Sequence, residues 1–386
     1  MTDENMNTQL SITILEPYYS GSHKQWADTF QKYSKHDIRI LSLPGRHWKW
    51  RMHGGAISLA DQFMKSDAKT DLIIASDMID LSIFLALTRK KSTNIPVALY
   101  FHENQLTYPW SPTDPDVTLK RDNHYAFINY TSALSADRVF FNSQYHRTSF
   151  LSALPEFLGQ FPDQKHLNLV DKVEAKSSVL PLMMDLSPFH SILSKSKQKA
   201  GECTFLWNHR WEYDKNPDAF FQLMYQLKEH QVSFKMIVLG ENYFNEPKCF
   251  SDAKANLAEQ VIHWGYVESF EEYASLLCQA DVLPVTSNQD FFGGSLVEAM
   301  ACNTMPLLPN RLAYPEHIPE SMRGTYMYQN ESDLFEKAKW SVLNVATVRK
   351  DNYAQLVRKY DVNQLLAVYE NQIQELYLTS QMKSKS

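Results

Sequence analysis

The stretch Asp290–Pro309, DFFGGSLVEAMACNTMPLLP, indicates how the second half of the chain folds. The apolar run DVLPVT at 281–286 comes just before it and predicts a strand, and the segment 294–302 predicts a helix. The run TMPLLP at 304–309 then predicts another strand. Strands that are joined by crossover helices are typical of a parallel sheet.

The glycine pair Gly293–Gly294 marks a candidate anion site at the start of this helix. The first backbone N–H groups of a helix have no partner within it, and glycine carries no side chain that would keep a phosphate away. Asp290 lies in the preceding loop and Glu298 about one turn into the helix. An ionised carboxylate only accepts hydrogen bonds, so both acids suit sugar hydroxyls. The alternative is an ordinary strand-loop-helix corner with a solvated acid and an acid that offsets the helix dipole.

A second candidate site is the segment WNHRWEYDKNP, Trp207–Pro217. Arg210 and Lys215 lie in a loop between a predicted strand and a helix that Asn216-Pro217 introduces. Together they have the charge to neutralise a diphosphate, arginine through its planar fork and lysine as a point charge. The alternative is a pair of surface cations that are balanced by Glu212 and Asp214.

The alternation of strands and helices continues along the chain. In the first half, strands are predicted at 12–16, 38–43, 71–76, 96–102 and 137–143, with helices from about 22 and near 56–66, 80–90, 121–135 and 144–153. In the second half, strands are predicted at 204–208, 234–240, 260–265, 281–286 and 304–309, with helices at 216–229, 268–279 and 294–302. The polar, basic stretch 187–202 is the candidate linker.

These elements predict an α/β protein of two Rossmann-like, doubly wound domains, 1–187 and 188–386, that face a central cleft. The final helices are candidates to pack back on the first domain. A chain of 386 residues fits two domains. Ligands are expected at the carboxyl ends of the strands, where Gly21, His102 and Ser143 lie.

Composition limits the classes of function. The formal charge of −6 argues against a general nucleic-acid binder, although a local basic patch can still bind phosphate. The four cysteines lack a zinc-binding or disulfide spacing and predict free thiols in a reducing compartment. The polar N-terminus does not resemble a signal peptide, and the apolar runs are too short to span a bilayer. We therefore expect a cytoplasmic protein without stable membrane association.

The R-x4-K loop and the D-x7-E spacing of DFFGGSLVEAMA together resemble the retaining GT-B glycosyltransferases of the family-4 type. The resemblance implies that Arg210 and Lys215 hold the diphosphate of a nucleotide sugar and that Glu298 holds its ribose. It also implies that amides near Phe291, Gly293 and Gly294 meet phosphate, and that Asp290 meets the transferred sugar. Asp290 stands where the family commonly has glutamate.

Three segments of the first half, LEPYYSGSHKQW (15–26), LPGRHWKWRMHGGA (43–56) and YFHENQLTYP (100–109), resemble the queuosine-tRNA mannosyltransferase family. This resemblance implies GDP-mannose as donor and the queuosine base of a tRNA anticodon loop as acceptor. No metal or other cofactor is expected, since GT-B enzymes offset the leaving charge with cations and helix N-termini. Loops at 240–242 and 264–267, which contain Gly240 and Gly265, are expected to hold the guanine.

His102 ends a predicted strand and is followed by Glu103 and Asn104. In the context of the family, His102 is expected to bind the donor sugar or to help a proton leave the acceptor hydroxyl. Gly21 begins the matching glycine loop and is assigned to donor binding, and Glu103 and Asn104 are assigned to the acceptor. The alternative for His102 is a loop histidine whose hydrogen bonds are satisfied within the protein.

A basic aromatic patch, RHWKWR at 46–51, follows the second predicted strand, and no acidic residue lies between Asp37 and Asp61. The tRNA acceptor is expected to contact the cations with its phosphates and to stack an unpaired base on an indole; the residues assigned are Arg46, Trp48, Lys49, Trp50 and Arg51. The alternative is a loop whose tryptophans fill the core of the domain and whose cations are solvated.

The sequence thus predicts a hexosyltransferase that moves mannose to tRNA-borne queuosine with retention. Two alternatives stay open. One is the same enzyme class with a lipid, polysaccharide or small-molecule acceptor, for which the patch would need an apolar helix face that its glycines disfavour. The other is a tRNA-binding protein without catalysis, although the donor residues Arg210, Lys215, Asp290 and Glu298 are all present.

Overall fold

The structure is a computed structural model that describes residues 8–111, 114, 116, 119, 123–196, 199–240 and 247–383. The chain divides into two compact units, one of Met1–Met184 with Val362–Ser386 and one of Asp185–Asp361. The division falls slightly before the boundary predicted at 187, and the last segment of the chain belongs to the first unit.

The first unit is built on a six-stranded sheet. Its strands are β1 (Ser11–Tyr19), β2 (Asp37–Pro44), β3 (Leu72–Ser76), β4 (Val97–Phe101), β5 (Arg138–Phe141) and β6 (Ser177–Val179). Its helices in the first part of the chain are α1 (Gly21–Tyr33), α2 (Trp48–Lys65), α3 (Leu81–Ser92), α4 (His124–Ser135), α5 (Gln144–Gly159) and α6 (Asn168–Ala175). The strand order is β2-β1-β3-β4-β5-β6, and all pairs are parallel.

The second unit has a sheet of the same kind. Its strands are β7 (Cys203–Asn208), β8 (Phe234–Leu239), β9 (Val261–Gly265), β10 (Val282–Pro284), β11 (Met305–Pro309) and β12 (Met327–Tyr328). Its helices are α7 (Ser187–Lys195), α8 (Pro217–Glu229), α9 (Lys248–Asn256), α10 (Phe270–Gln279), α11 (Gly294–Ala301), α12 (Arg323–Tyr326), α13 (Glu331–Leu343), α14 (Val345–Val348) and α15 (Ala354–Val357). The strand order is β12-β11-β10-β7-β8-β9, again all parallel.

The central strands are short apolar runs, such as LIIAS in β3 and VALYF in β4, and every residue in them is buried. Strands that are apolar on both faces are typical of parallel sheets covered by helices on two sides. In each unit the chain adds strands on one side of its first strand and then continues on the other side of it. The direction in which strands are added therefore reverses between β1 and β3 in the first sheet and between β7 and β10 in the second. Ligands bind at such switch points, beyond the carboxyl ends of the strands.

Helix α2 corrects one prediction, because it begins at Trp48 and contains most of the basic aromatic patch, which we expected to be a loop. Gly54 and Gly55 lie inside the helix and do not break it. A Cβ on Gly54 would come within 2.5 Å of the Trp50 ring, and one on Gly55 within 3.1 Å of Pro17. Glycine is therefore used here for close packing, which sequence alone does not distinguish from a turn.

The predicted linker at 187–202 is also corrected, since its first half forms α7. Pro188 lies in the first turn of this helix, where its missing N–H costs nothing. Phe189 is buried, and its ring lies 5.0 Å from that of Phe270 and 6.4 Å from that of Tyr273. These contacts make α7 part of the second unit.

The last helix of the chain, α16 (Val362–Lys383), belongs to the first unit. The hydroxyl of Tyr369 lies 3.2 Å from the indole nitrogen of Trp26, which donates to it, and the side chain of Glu370 accepts from the backbone of Lys35. Among the described residues, we find no helix with the length and apolar character needed to cross a bilayer. All four cysteines are free thiols, three of them buried.

Candidate active site

In the second unit, the loops that follow β7 and β10 lie side by side at the switch point. The backbone N–H of Asn288 donates to the carbonyl of Asp214 at 2.8 Å, and the Thr286 hydroxyl donates to the carbonyl of Lys215 at 3.0 Å. These bonds bring the R-x4-K loop against the D-x7-E segment, although about 75 residues separate them in the sequence. The two motifs therefore form one site.

Lys215 lies between two carboxylates in this site. Its ammonium is 3.2 Å from Asp214 and 3.5 Å from Asp290, and it donates to the backbone carbonyl of Gln289 at 3.0 Å. Burial opposes the charge, but Asp290 and Asp214 outweigh it and raise the pKa of Lys215. The lysine is therefore a fixed positive charge.

Asp290 is held on several sides. The Tyr314 hydroxyl donates to it at 3.2 Å, and the backbone N–H of Phe292 donates at 3.4 Å. Burial favours the neutral acid, but Lys215 outweighs it and lowers the pKa of Asp290. Asp290 is thus an ionised acceptor beside the predicted anion site, and its pairing with Lys215 is a feature that the sequence did not predict.

The start of α11 has the geometry expected of an anion site. Gly293 has φ of 92°, a left-handed conformation that favours glycine, and its added Cβ would meet the Tyr314 ring at 3.4 Å. The ring of His317 bonds to the carbonyl of Phe292 at 2.6 Å and holds the loop in place. The N–H groups of the first turn, at Gly294 and the two residues after it, have no acceptor within the helix, as in any helix start. Phe291, in the loop before this turn, is buried.

The other residues predicted to bind the donor lie around the same edge. Glu298 is buried and accepts from the Tyr273 hydroxyl at 2.7 Å, whereas Arg210 is half exposed and paired with Glu212 at 3.3 Å. Gly240 has φ of 125°, and its added Cβ would clash with the carbonyl of His209, so only glycine fits there. Gly265, at the end of β9, has φ of 118°. Residues 241 and 242 of the predicted guanine loop lie outside the described residues.

His209 is a residue of this site that sequence reasoning missed, although it lies inside the quoted WNHRWEYDKNP motif. Its Nδ1 is 3.0 Å from the Ser295 hydroxyl in the first turn of α11, and Asn208 donates to the Ser295 carbonyl at 2.8 Å. Both side chains thus fasten the end of β7 to the candidate anion site. A polar pair at the end of a strand, just before the cationic loop, was the available signal.

Acid is expected to destabilise the second unit below about pH 6.5, the ordinary pKa of histidine. Burial lowers the pKa of both His209 and His317 to about 4. The unfolded chain therefore takes up protons that the folded chain excludes, and each histidine should lower the free energy of unfolding by about 1.4 kcal/mol per pH unit within this window. The effect is absent above about pH 6.5 and is complete near pH 4. Urea unfolding at several pH values measures it.

The matched variants for this measurement are His317→Gln and His230→Gln. The first removes one buried histidine and should flatten the pH dependence, whereas the second removes an exposed one and should leave it unchanged. An equal pH dependence in His317→Gln and in the unmodified protein would contradict the assignment.

In the first unit, His102 follows β4 at the carboxyl edge and is buried. Its backbone N–H donates to Asp77 at 2.7 Å, and its ring stacks on that of His23, with centroids 4.0 Å apart. Burial and the neighbouring His23 and His146 lower the pKa of His102 well below its usual range. Gly21 begins α1 on the same edge, with φ of 50°. His102 is thus a neutral imidazole in the free protein.

Glu103 and Asn104, which were predicted to bind the acceptor, differ from each other in how exposed they are. Asn104 is fully buried, and its side-chain oxygen accepts from the backbone N–H groups of Leu106 and Thr107. It therefore shapes the loop. Glu103 is partly exposed and accepts from Gln105 at 2.9 Å, so it is the more accessible of the two.

The basic aromatic patch separates into two sets of side chains. Trp48 packs on Tyr125 with ring centroids 5.0 Å apart, and Lys49 forms ion pairs with Asp114 and Asp116. Trp50 is 63% exposed and lies over Gly54. Arg46 is exposed, and the Arg51 side chain donates to the carbonyl of Pro44 at 3.1 Å. Trp48 and Lys49 thus have structural partners, while the indole of Trp50 faces outward.

One group of side chains among the described residues has the composition of a metal site. Possible ligand atoms of Glu16, His23 and His102 lie within 4.8 Å of one another. However, the two imidazoles stack with an angle of only 30° between their planes, so their in-plane lone pairs lie in nearly parallel planes that a single ion does not readily share. The rings would have to rotate apart to share one ion, so the observed arrangement is that of an ion pair beside a stacked ring.

The two Rossmann-like units, one of them with two cations near a candidate anion site, indicate the class of protein. Sucrose-phosphate synthase from Thermosynechococcus elongatus aligns with a TM-score of 0.66 and 13% identity, over 98% of this chain and 100% of that chain. HepE of Anabaena, in complex with UDP and glucose, aligns with a TM-score of 0.64 and 15% identity, over 95% and 99%. Residues 190–360 match the family described as glycosyl transferases group 1. The protein is a glycosyltransferase of the GT-B fold.

Residues 11–184 match the family described as tRNA-queuosine alpha-mannosyltransferase N-terminal. A curated relative from Drosophila melanogaster, named tRNA-queuosine alpha-mannosyltransferase, is 35% identical over 316 residues, which cover 80% of this chain and 82% of the relative. The chain belongs to the tRNA-queuosine alpha-mannosyltransferase family. The predicted fold class, enzyme class and family are confirmed.

Proposed function

We propose that the protein transfers mannose from GDP-mannose to the queuosine base of a tRNA, with retention of configuration at the sugar. The proposal draws its acceptor and sugar from the name of the Drosophila relative. The observation that carries the transfer chemistry is Lys215, a largely buried cation fixed beside Asp290 in the loop that leads into α11. A fixed cation beside free helix amides is the arrangement that a departing diphosphate requires.

The donor is bound by the second unit in this proposal. Lys215 and Arg210 neutralise the diphosphate, and the amides at Gly294 and Ser295 bond to its phosphate oxygens. Glu298 accepts from the ribose hydroxyls, and the pairing of this acid with Tyr273 fixes its orientation. The loops that begin at Gly240 and Gly265 hold the guanine.

Asp290 is assigned to the transferred sugar, and His102 to the sugar or to the acceptor hydroxyl. Asp290 accepts from a mannose hydroxyl once the diphosphate draws Lys215 toward itself. His102 bonds to the sugar or takes part in removing the proton of the acceptor hydroxyl. Retention follows when the leaving phosphate accepts that proton on the same face of the sugar. The charge that develops on the leaving group is offset by Lys215, Arg210 and α11, so we propose catalysis without a divalent ion or other cofactor.

The tRNA is bound by the first unit. Trp50 offers an exposed indole on which an unpaired base of the anticodon loop can stack, and Arg46 and Arg51 lie close by in sequence for phosphate contacts. Trp48 and Lys49 support this surface from within. A tRNA acceptor and free thiols both fit a cytoplasmic setting.

The donor assignment predicts a selective thermal shift. GDP-mannose at 100 times its dissociation constant should stabilise the protein by about 2.7 kcal/mol, because it binds the folded state only. UDP-glucose at the same concentration is the control and should shift the melting temperature much less. A larger shift with UDP-glucose would overturn the choice of GDP-mannose.

Turnover assays test the acceptor. GDP-mannose consumption should require tRNA that carries queuosine, and the matched control is the same tRNA with unmodified guanine at that position. Transfer to a lipid or polysaccharide without tRNA would support the other acceptor class. Tight tRNA binding without any consumption of GDP-mannose would support a binding protein that lacks catalysis.

A further inference from the structure

A buried ion pair lies behind His102, and the proposed function does not use it. Glu16 near the end of β1 is fully buried, and its Oε2 is 3.1 Å from Nδ1 of His23 in the first turn of α1. Its other oxygen accepts from the backbone N–H of Tyr18 at 2.9 Å. Burial opposes the charge on His23, but Glu16 outweighs it and raises the pKa of His23 to about 9. His23 is therefore an imidazolium at neutral pH, paired with Glu16.

The imidazolium of His23 is in direct contact with the ring of His102. The two rings stack with centroids 4.0 Å apart and an angle of 30° between their planes. Trp26 and Tyr100 meet His102 from other sides, at centroid distances of 5.1 and 4.8 Å. His102 is thus held against a positive charge, and a second positive charge at this distance is strongly disfavoured.

The other titratable groups around the pair come from several elements. Among the described residues, the set that faces His102 or His23 consists of Glu16 and Tyr18 on β1, Asp77 after β3, Tyr100 on β4, Glu103 after β4 and His146 on α5. Burial raises the pKa of Asp77, so this acid carries less negative charge at neutral pH than an exposed carboxylate. Its side chain accepts the backbone N–H of His102. The neighbouring His146 also lowers the pKa of His102.

We propose that Glu16 and His23 are positioning residues that keep the His102 ring neutral and fixed in orientation for its hydroxyl partner. The Nε2 atom of His102 is buried and has no hydrogen-bond partner among the residues that the structure describes. A neutral imidazole offers one donor and one acceptor, whereas an imidazolium only donates. Only the neutral ring can accept the proton of a sugar or acceptor hydroxyl. This inference rests on the proposed role of His102.

The charge states are measured first in the unmodified protein, by NMR titration of ¹⁵N-labelled histidines assigned with His23→Gln and His102→Asn. His23 should stay protonated to about pH 9, and His102 should stay neutral down to pH values well below the usual range. A neutral His23 or a protonated His102 at pH 7 overturns the inference. Both charge states are measured in the unmodified protein, so the result does not depend on the stability of a variant.

The coupling is then measured in His23→Gln and in the double variant Glu16→Gln/His23→Gln, which removes both charges and leaves no buried ion unpaired. The pKa of His102 should rise by at least about one unit in either variant, because the stacked cation is gone. The matched control is His53→Gln, which removes a histidine stacked at 5.0 Å on His124 elsewhere in the same unit. This control should leave the pKa of His102 unchanged.

Activity gives the functional outcome. The fall of mannose transfer with acid should move to higher pH in the double variant, by as much as the pKa of His102 rises, since only the neutral ring accepts the hydroxyl proton. A loss that is equal at all pH values, with an unchanged His102 titration, means a purely structural role and overturns the inference. The unmodified protein could transfer no mannose at any pH while the pKa of His102 still rises when His23 is replaced. The proposed function would then be wrong, and the electrostatic coupling of His23 to His102 would still be confirmed.

Discussion

Replacing Lys215 by alanine is expected to lower kcat/KM for GDP-mannose on the order of 10²–10³-fold, because the departing diphosphate loses its fixed cation. The same change should lower the free energy of unfolding by about 3 kcal/mol, since Asp214 and Asp290 are left at the site without their positive partner. Steady-state kinetics well below the melting temperature separates the first effect from the second.

Two matched variants complete this experiment. Lys215→Arg keeps the charge and should retain most of the stability while still losing activity, because the guanidinium has a different shape from the ammonium. Lys228→Ala removes an exposed lysine of α8 that bonds to the carbonyl of Asn256, and it should change neither quantity. If Lys215→Ala keeps kcat/KM within a few-fold of the unmodified protein, the diphosphate binds elsewhere.

The sequence predicted the parts of the donor site that follow from local pattern. Gly293 and Gly294 at a strand-to-helix corner indicate a helix start, and Arg210 with Lys215 indicates a cationic loop. The structure places both at the switch point of the second sheet. This succeeded because the period of apolar residues determines which segments are parallel strands, and the carboxyl ends of such strands share one edge.

The sequence did not predict the long-range pairings. The contact of Lys215 with Asp290, the bond of His209 to Ser295 and the stack of His23 on His102 each join residues more than 70 positions apart. No local pattern encodes such contacts, which depend on strand order. The expectation that the patch at 46–51 forms a loop was wrong for another reason: glycine marks a turn in most contexts, whereas Gly54 and Gly55 make room for Trp50 and Pro17.

The two tryptophans of the patch are expected to respond differently to alanine. Trp48 packs on Tyr125 and Met52, so Trp48→Ala should lower the free energy of unfolding by about 3 kcal/mol. Trp50 is 63% exposed, so Trp50→Ala should leave the melting temperature nearly unchanged. It should instead weaken tRNA binding by about 1–3 kcal/mol, or roughly 5- to 150-fold, through the loss of one stacked base. Thermal melting and titration with labelled tRNA measure the two effects.

Salt dependence distinguishes stacking from charge at the same surface. Arg46→Ala and Arg51→Ala should each reduce the slope of log affinity against log salt by about 0.7–0.9, because one phosphate contact releases fewer counterions. Trp50→Ala should leave that slope unchanged, since an indole displaces no counterion. GDP-mannose binding without tRNA is the internal control and should be equal in all three variants.

Gly54→Ala provides the strictest test of the role of Trp50, because it moves the indole without removing it. The new methyl group would come within 2.5 Å of the Trp50 ring, which is the mobile end of an exposed side chain, so the ring moves and the helix stays folded. We expect Gly54→Ala to weaken tRNA binding while helix propensity slightly favours the folded state. If both Trp50→Ala and Gly54→Ala bind tRNA as tightly as the unmodified protein, the acceptor surface lies elsewhere. The segment from His102 to Tyr108 at the end of β4 would then be the next to test.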